Sequence, residues 1–236
     1  MIETVAATGS TNGDLAARLA AGEPLGEGFW LVADRQTAGR GRLGRVWHDG
    51  YGNFMGSTLV RRRAGDPPLP SLALAAGVAV QAALAPLLPA ALQPQLKWPN
   101  DVTAGGAKLA GLLLESVGDV AVVGVGVNLA QAPHLPDRPA TALAAFGPAP
   151  DRDLFATALA GAMAAELARW RGLGLAALVG RWQAVAHPPG TPLRVAGVAD
   201  APLAGEFAGL AADGALRLRL ADGTTRIIHA GDVFAG

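Results

Sequence analysis

Along this chain the apolar positions keep three different rhythms, and each predicts a different kind of element. Leu15 and Leu19 stand four apart behind Ser10-Thr11-Asn12, with Gly22 beyond them. That spacing predicts a short helix, capped by a hydroxyl or amide side chain and stopped by glycine. Short apolar runs at 29–33 and 53–60 predict strands, the second entered through a glycine-rich turn. The alanine-rich stretch 71–85 predicts a long helix, and 95–98 a strand stopped by the turn Pro99-Asn100-Asp101. Gly105-Gly106 marks a tight turn before Lys108. The runs 109–114 and 120–127, on either side of Gly118-Asp119, are apolar without alternation and predict a central hairpin buried on both faces. Leu154, Phe155, Leu159, Met163, Leu167 and Trp170 form a helical stripe over 153–170, and 173–183 continues as a second helix. Methionine and aromatic residues at that spacing read as core.

At His187-Pro188-Pro189-Gly190 the pattern changes. Downstream, Leu216, Leu218 and Leu220 alternate with Arg217 and Arg219 between the turn signals Asp213-Gly214 and Asp222-Gly223. This predicts an all-β module of about 45 to 50 residues. The chain therefore divides into residues 1–186, where helices and strands mix, and 187–236.

Composition narrows the function. The 236 residues carry 19 Lys+Arg against 19 Asp+Glu, so no general basic field exists to hold nucleic acid or an anionic membrane. Cysteine is absent, which removes disulfides, thiolate metal sites and a cysteine nucleophile. A hydrophobic content of 51% raises the question of a membrane span. The best stretch, 72–92, contains Gln81, Pro86 and Pro89 and reads instead as a buried helix. Met1-Ile2-Glu3-Thr4 lacks the basic and apolar regions of a secretory leader, so a cytoplasmic protein is expected. His48, His134, His187 and His229 have no ligand spacing, so no metal site is expected and His187 reads as structural or exposed.

The chemistry concentrates in two stretches. Residues 39–45, Gly39-Arg40-Gly41-Arg42-Leu43-Gly44-Arg45, put three glycines and three arginines into one loop, an anion cradle. Glycine lets backbone N–H groups approach a ligand, and guanidinium forks bind phosphate or carboxylate. The same glycines spell a dinucleotide fingerprint, but that motif must follow a strand directly and open a helix. Here a polar segment, 34–37, intervenes, and 46–53 reads as strand and turn. The second stretch is Lys97-Trp98-Pro99-Asn100-Asp101. Each of these residues also has a plainer role: Ser10 and Thr11 as caps, Trp47 and Trp98 as core, Asp101 as a turn or cap group, and Lys108 as a solvated charge.

Taken in order, Ser10-Thr11-Asn12, Gln36 through Arg45 with Trp47, Lys97 through Asp101, Lys108-Leu109-Ala110-Gly111 and Gly124-Val125-Gly126-Val127-Asn128 resemble the biotin protein ligases over essentially the whole chain. The resemblance implies an α+β fold: a class II synthetase-like catalytic domain with a mixed or antiparallel central sheet and flanking helices, followed by a small SH3-like β-barrel. It implies that biotin is activated by ATP, with Mg²⁺, as biotinyl-5′-AMP, and then transferred to a lysine of a biotin carboxyl carrier protein domain. Carried over residue by residue, Ser10, Thr11, Asn12, Gln36, Arg40, Gly41, Arg42, Lys97 and Gly111 would meet biotin. Arg40, Arg42, Arg45, Trp47 and Asn128 would meet the nucleotide, with Lys97 and Arg42 catalytic. Many relatives carry an N-terminal helix-turn-helix; here Ser10 arrives at once, so a repressor role is not expected. Dimerisation through the central sheet edge is implied by the resemblance alone. The rival readings are a lipoate-type ligase and a non-catalytic biotin or nucleotide sensor.

Overall fold

Seven strands form one mixed sheet: β1 (Ile2–Val5), β2 (Trp30–Ala33), β3 (Phe54–Arg61), β4 (Gln95–Lys97), β5 (Asp101–Ala104), β6 (Ala107–Val117) and β7 (Val120–Val127). The computed structural model describes residues 1–136, 138–197 and 201–235. The strand order is β1-β2-β3-β7-β6-β5-β4; β1 and β2 are parallel and every other neighbour is antiparallel. One face is covered by α1 (Thr11–Ala20), which crosses from β1 to β2; the other is covered by α2 (Leu72–Leu84) and α3 (Arg152–Ala184), packed on each other.

Covering both faces is what makes the inner strands read as unbroken apolar runs. Trp30 and Val32 of β2, with Val123, Val125 and Val127 of β7, enter the larger core beneath α2 and α3. Their alternates Leu31, Val120 and Val122, with Leu59 of β3, turn the other way to meet Leu15 of α1. On that second face β7 runs Val120, Val122, Gly124, Gly126. The core stops where valine gives way to glycine, and a cleft begins there.

Two strands escape the sequence reading. Ile2–Val5 is a four-residue edge strand. Asp101, read as a turn or cap group, instead opens β5 and pairs with both Lys97 and Gly111. The segment 46–53 is not a strand; it holds a single bridge, Arg40 to Val46, and then turns. The helical readings hold more closely. A stretch from Leu69 to Leu87 is long and apolar enough to cross a membrane by length and composition, but it carries α2, which packs against α3 and the sheet. The helix α3 bends at Gly174 (φ 75°), where the two helices expected from the sequence join. Across that bend Glu166, 1% exposed, accepts from Arg181 at 2.6 Å.

Five further strands, β8 (Pro192–Ala196), β9 (Leu203–Leu210), β10 (Leu216–Arg219), β11 (Thr225–Ile228) and β12 (Asp232–Ala235), make an antiparallel sheet ordered β11-β10-β9-β8-β12. Leu216 and Leu218 point in, and Arg217 and Arg219 point out, as the alternation requires. This sheet shares the larger core. The rings of Trp182 and Phe207 lie 6.3 Å apart, Gln183 Oε1 accepts from the Leu210 N–H at 2.7 Å, and the Trp98 indole donates to the Gly214 carbonyl at 3.2 Å.

Candidate active site

The cleft spans about 1160 Å³ including its open mouth. Its floor is the glycine end of β7 with the adjoining parts of β3 and β6. Ser57 lies opposite Gly124, and Gly111 opposite Gly126, so these positions share one face. A Cβ on Gly124 would sit 2.5 Å from Asn12 Oδ1, and one on Gly126 would sit 2.3 Å from the Trp47 ring. Glycine at both positions is therefore a packing requirement, with Asn12 and Trp47 lying directly on the backbone.

One end of the cleft is a polar network. Ser10 caps α1 and turns the first residues of that helix toward the sheet. Gln36 Oε1 accepts from the Thr11 backbone N–H at 2.7 Å, and the hydroxyls of Thr11 and Ser57 meet at 2.7 Å. Ser57 donates to Asn12 Oδ1 at 2.6 Å, and Asn12 Nδ2 donates to Glu115 Oε2 at 2.7 Å. Thr11, Asn12, Gln36 and Ser57 are all buried, so this end offers polar atoms in fixed positions to whatever enters.

The arginine loop forms the wall above. Its ends are tied by Trp47 N–H to Gly39 O at 2.9 Å and Gly41 N–H to Arg45 O at 2.7 Å. Its tip includes Leu43 in the left-handed region (φ 56°) with the side chain exposed. Each arginine rests on a different element. Arg40 pairs with Glu115 of β6 at 3.3 Å, Arg42 donates to Asn100 Oδ1 at 3.3 Å, and Arg45 pairs with Asp232 of β12 at 2.6 Å. Below the loop, Trp47 lies over the glycine floor with its indole N–H buried and without a partner among the described residues. An orphaned buried donor of this kind suits a ligand acceptor.

A cationic group stands at the other end. Lys108 Nζ lies 2.6 Å from Asp101 Oδ1 and 5.8 Å from the Trp47 ring centre, while Arg138 reaches Asp101 Oδ2 at 3.8 Å. Two cations on one buried carboxylate leave net positive charge facing the cleft.

The structure brings Ser10, Thr11, Asn12, Gln36, Arg40, Gly41, Arg42, Gly111, Arg45, Trp47 and Asn128 together around the cleft. Asn128 also braces the wall, its Nδ2 donating to Thr141 O at 3.0 Å. Lys97 is not among the described residues that line the cleft, whereas Lys108 is. The reason is strand order. Lys97 ends β4, the edge strand, two strands from the β6 floor on which Lys108 stands. Its charge is felt instead by His187, which burial first and Lys97 second hold below the ordinary histidine pKa. Trp98 is both core and wall, 6% exposed with one edge on the cleft. Ser57, Arg138 and Asp232 also line the cleft and Glu115 stands behind it, at positions no local pattern in the sequence marks. Only the glycines 124 and 126, spaced by two inside an apolar strand, carried a local signal of close approach.

Residues 19–130 match the biotin/lipoate A/B protein ligase family, and residues 194–236 match the biotin protein ligase C-terminal domain. The chain is 40% identical to the biotin--[acetyl-CoA-carboxylase] ligase of Mycobacterium tuberculosis, covering 98% of this chain and 88% of that protein. It is 37% identical to the Paracoccus denitrificans protein of the same name, over 98% and 99%. The structure of the biotin protein ligase from Aquifex aeolicus in complex with biotin and ATP matches with a TM-score of 0.85 at 26% identity, covering 100% of this chain and 99% of that one. This chain belongs to the biotin protein ligases.

Proposed function

We propose that the chain is an ATP-dependent biotin protein ligase whose acceptor is a lysine of a biotin carboxyl carrier protein domain. The observation that carries the reading is the polarity of the cleft: a fixed hydrogen-bonding end and a cationic end joined by a glycine floor. A cyclic urea needs the first, and a carboxylate brought against a triphosphate needs the second. A carboxylate oxygen of biotin attacks the α-phosphorus of ATP, the bond to the β-phosphate oxygen breaks, and pyrophosphate leaves. The acceptor amine then attacks the acyl carbon of the mixed anhydride, AMP departs, and the amine loses a proton.

The protein's share is largely electrostatic. Two anions must converge, and charge builds on phosphoryl oxygens in the transition state. Lys108, held at 2.6 Å by Asp101, is the fixed cation there, and it takes the role expected of Lys97. Arg138 and the loop arginines add charge around it. Trp47 and the glycine floor exclude water from the anhydride. Mg²⁺ would enter with the ATP substrate, its charge carried by the phosphates. The setting proposed is the cytoplasm, where ATP and carrier domain meet.

Purified protein with biotin and MgATP should release pyrophosphate, form biotinyl-AMP and label one carrier-domain lysine. Lys108→Ala should slow single-turnover adenylate formation by about a hundredfold to a thousandfold. Preferential activation of lipoate over biotin, or biotin binding without pyrophosphate release, would overturn the reading.

A further inference from the structure

Glu115 does not line the cleft, and none of the chemistry above uses it, yet it touches the cleft from two sides. It stands on β6, on the face shared with Gly111 and Leu113. Its Oε2 accepts from Asn12 of α1 at 2.7 Å, and its Oε1 lies 3.3 Å from Arg40 of the loop. These two neighbours belong to the parts that would grip the two faces of a ligand: the polar end and the wall.

The bond to Asn12 sets more than one side chain. A carboxylate only accepts, so it must face the amide nitrogen, and Asn12 Oδ1 is left to face Ser57. Ser57 spends its single proton on Asn12 at 2.6 Å. With that proton committed, the 2.7 Å contact between the two hydroxyls has Ser57 accepting from Thr11, whose single proton is shared with Gln36 Oε1 at 3.1 Å. A directed series results, Ser57 to Asn12 to Glu115 with Thr11 at its head, and the carboxylate at its end fixes the direction of the Ser57 and Asn12 donors. The Arg40 contact joins this series to a glycine-rich loop whose arginine is half exposed, 51% for its side chain.

We infer that Glu115 is a positioning residue that couples ligand binding at the polar end to the closed position of the arginine loop. It orients Asn12 for a cyclic urea and holds Arg40 with the same carboxylate, so each event favours the other. Binding that orders Asn12 steadies Glu115, and a steady Glu115 keeps Arg40 down. This rests on the biotin reading above.

The test uses the full chain and two measurements, biotin affinity by calorimetry and the rate of tryptic cleavage within residues 40–45 with and without saturating biotin. Glu115→Gln keeps an acceptor for Asn12 but loses the charge that holds Arg40. It should bind biotin about threefold to tenfold more weakly while losing most of the biotin-dependent slowing of cleavage. Arg40→Gln breaks the same pair from the loop side and should lose the slowing as well, and adding it to Glu115→Gln should weaken binding by less than a further twofold or so. Biotin-dependent protection in Glu115→Gln equal to that of the parent, or fully additive losses in the double variant, would overturn the coupling. Absence of biotin binding by the parent itself would overturn the functional reading and the coupling with it, and is a distinct result.

Discussion

Adding one methyl group at Gly124 tests whether the glycine floor is a requirement of the site. A Cβ there would stand 2.5 Å from Asn12 Oδ1 and 3.0 Å from its Cγ. Carbon and oxygen in ordinary contact keep about 3.3 Å or more, so the amide must retreat by several tenths of an ångström. It has little freedom to do so. Asn12 is 3% exposed and is held by Ser57 at 2.6 Å and Glu115 at 2.7 Å. Overpacking of a tight contact costs about 1 to 3 kcal/mol, and a stretched hydrogen bond to a charged group adds a similar amount. Some of this appears as lost stability and the rest as a misplaced Asn12. Gly124→Ala should therefore bind biotin about tenfold to a hundredfold more weakly, equivalent to about 1.4 to 2.7 kcal/mol. Its single-turnover rate at saturating biotin should stay near that of the parent, because Lys108 stands at the other end of the cleft. Calorimetry with biotin, rapid-quench adenylate formation and urea unfolding separate these effects. Biotin affinity within about twofold of the parent, in a variant of unchanged stability, would refute the placing of Asn12 at the ligand.

Three other outcomes follow from the geometry. Lys97→Ala should leave single-turnover adenylate formation within about fivefold of the parent, against the collapse expected for Lys108→Ala; rapid-quench kinetics on both decides between the two lysines. Arg181→Ala strips the buried Glu166 of its 2.6 Å partner, leaving only Arg169 at 3.5 Å, and should cost about 2 kcal/mol in urea unfolding, with a loss below about 0.5 kcal/mol counting against a structural latch across the Gly174 bend. His187, with its folded-state pKa held below the ordinary 6.5, favours the neutral ring, so its contribution is complete above pH 6.5 and fades as pH falls through the folded value. His187→Gln should flatten that acid limb, and thermal midpoints of the two proteins that decline in parallel from about pH 7.5 to 5 would contradict it.

How far the site was legible in the sequence depended on the range over which each residue is placed. The cap at Ser10, the arginine loop and the hairpin around Gly118-Asp119 are set by neighbours in the chain, and they stand where the sequence puts them. Lys97 and Lys108 look alike locally, each a lysine at a strand boundary. Only the order of strands, with β4 at the edge and β6 at the floor, decides which of them lines the cleft. Glu115 and Asp232 were invisible for a similar reason, since their partners lie 75 and 187 residues away in the chain. The strand Ile2–Val5 is too short for its alternation to stand out, and it forms only because β2 offers it an edge.

The two ends of the cleft are built on different energetic terms, and the difference fits their tasks. At the cationic end Lys108 and Asp101 are 19% and 9% exposed in their side chains, so removing Asp101 strands the Lys108 charge in a poorly solvated place, and removing Lys108 leaves Asp101 only the looser Arg138 contact at 3.8 Å. The loop is tied down more lightly. The pairs of Arg40 with Glu115 and Arg45 with Asp232 involve guanidinium groups 51% and 42% exposed, and pairs of that kind contribute about 0 to 1 kcal/mol each. Fixing the backbone of even one residue costs about 1 to 2 kcal/mol, so these contacts alone hold a glycine-rich loop only weakly. A ligand carrying several phosphate oxygens offers the same guanidinium forks stronger, charge-assisted bonds. The floor is thereby held by buried contacts within the chain, while the wall has only these exposed pairs and would draw further firmness from a phosphate-bearing ligand. Asp232 and Val233 of the second sheet stand at the edge of that wall, so the small C-terminal sheet is part of the cleft and not an appendage to it.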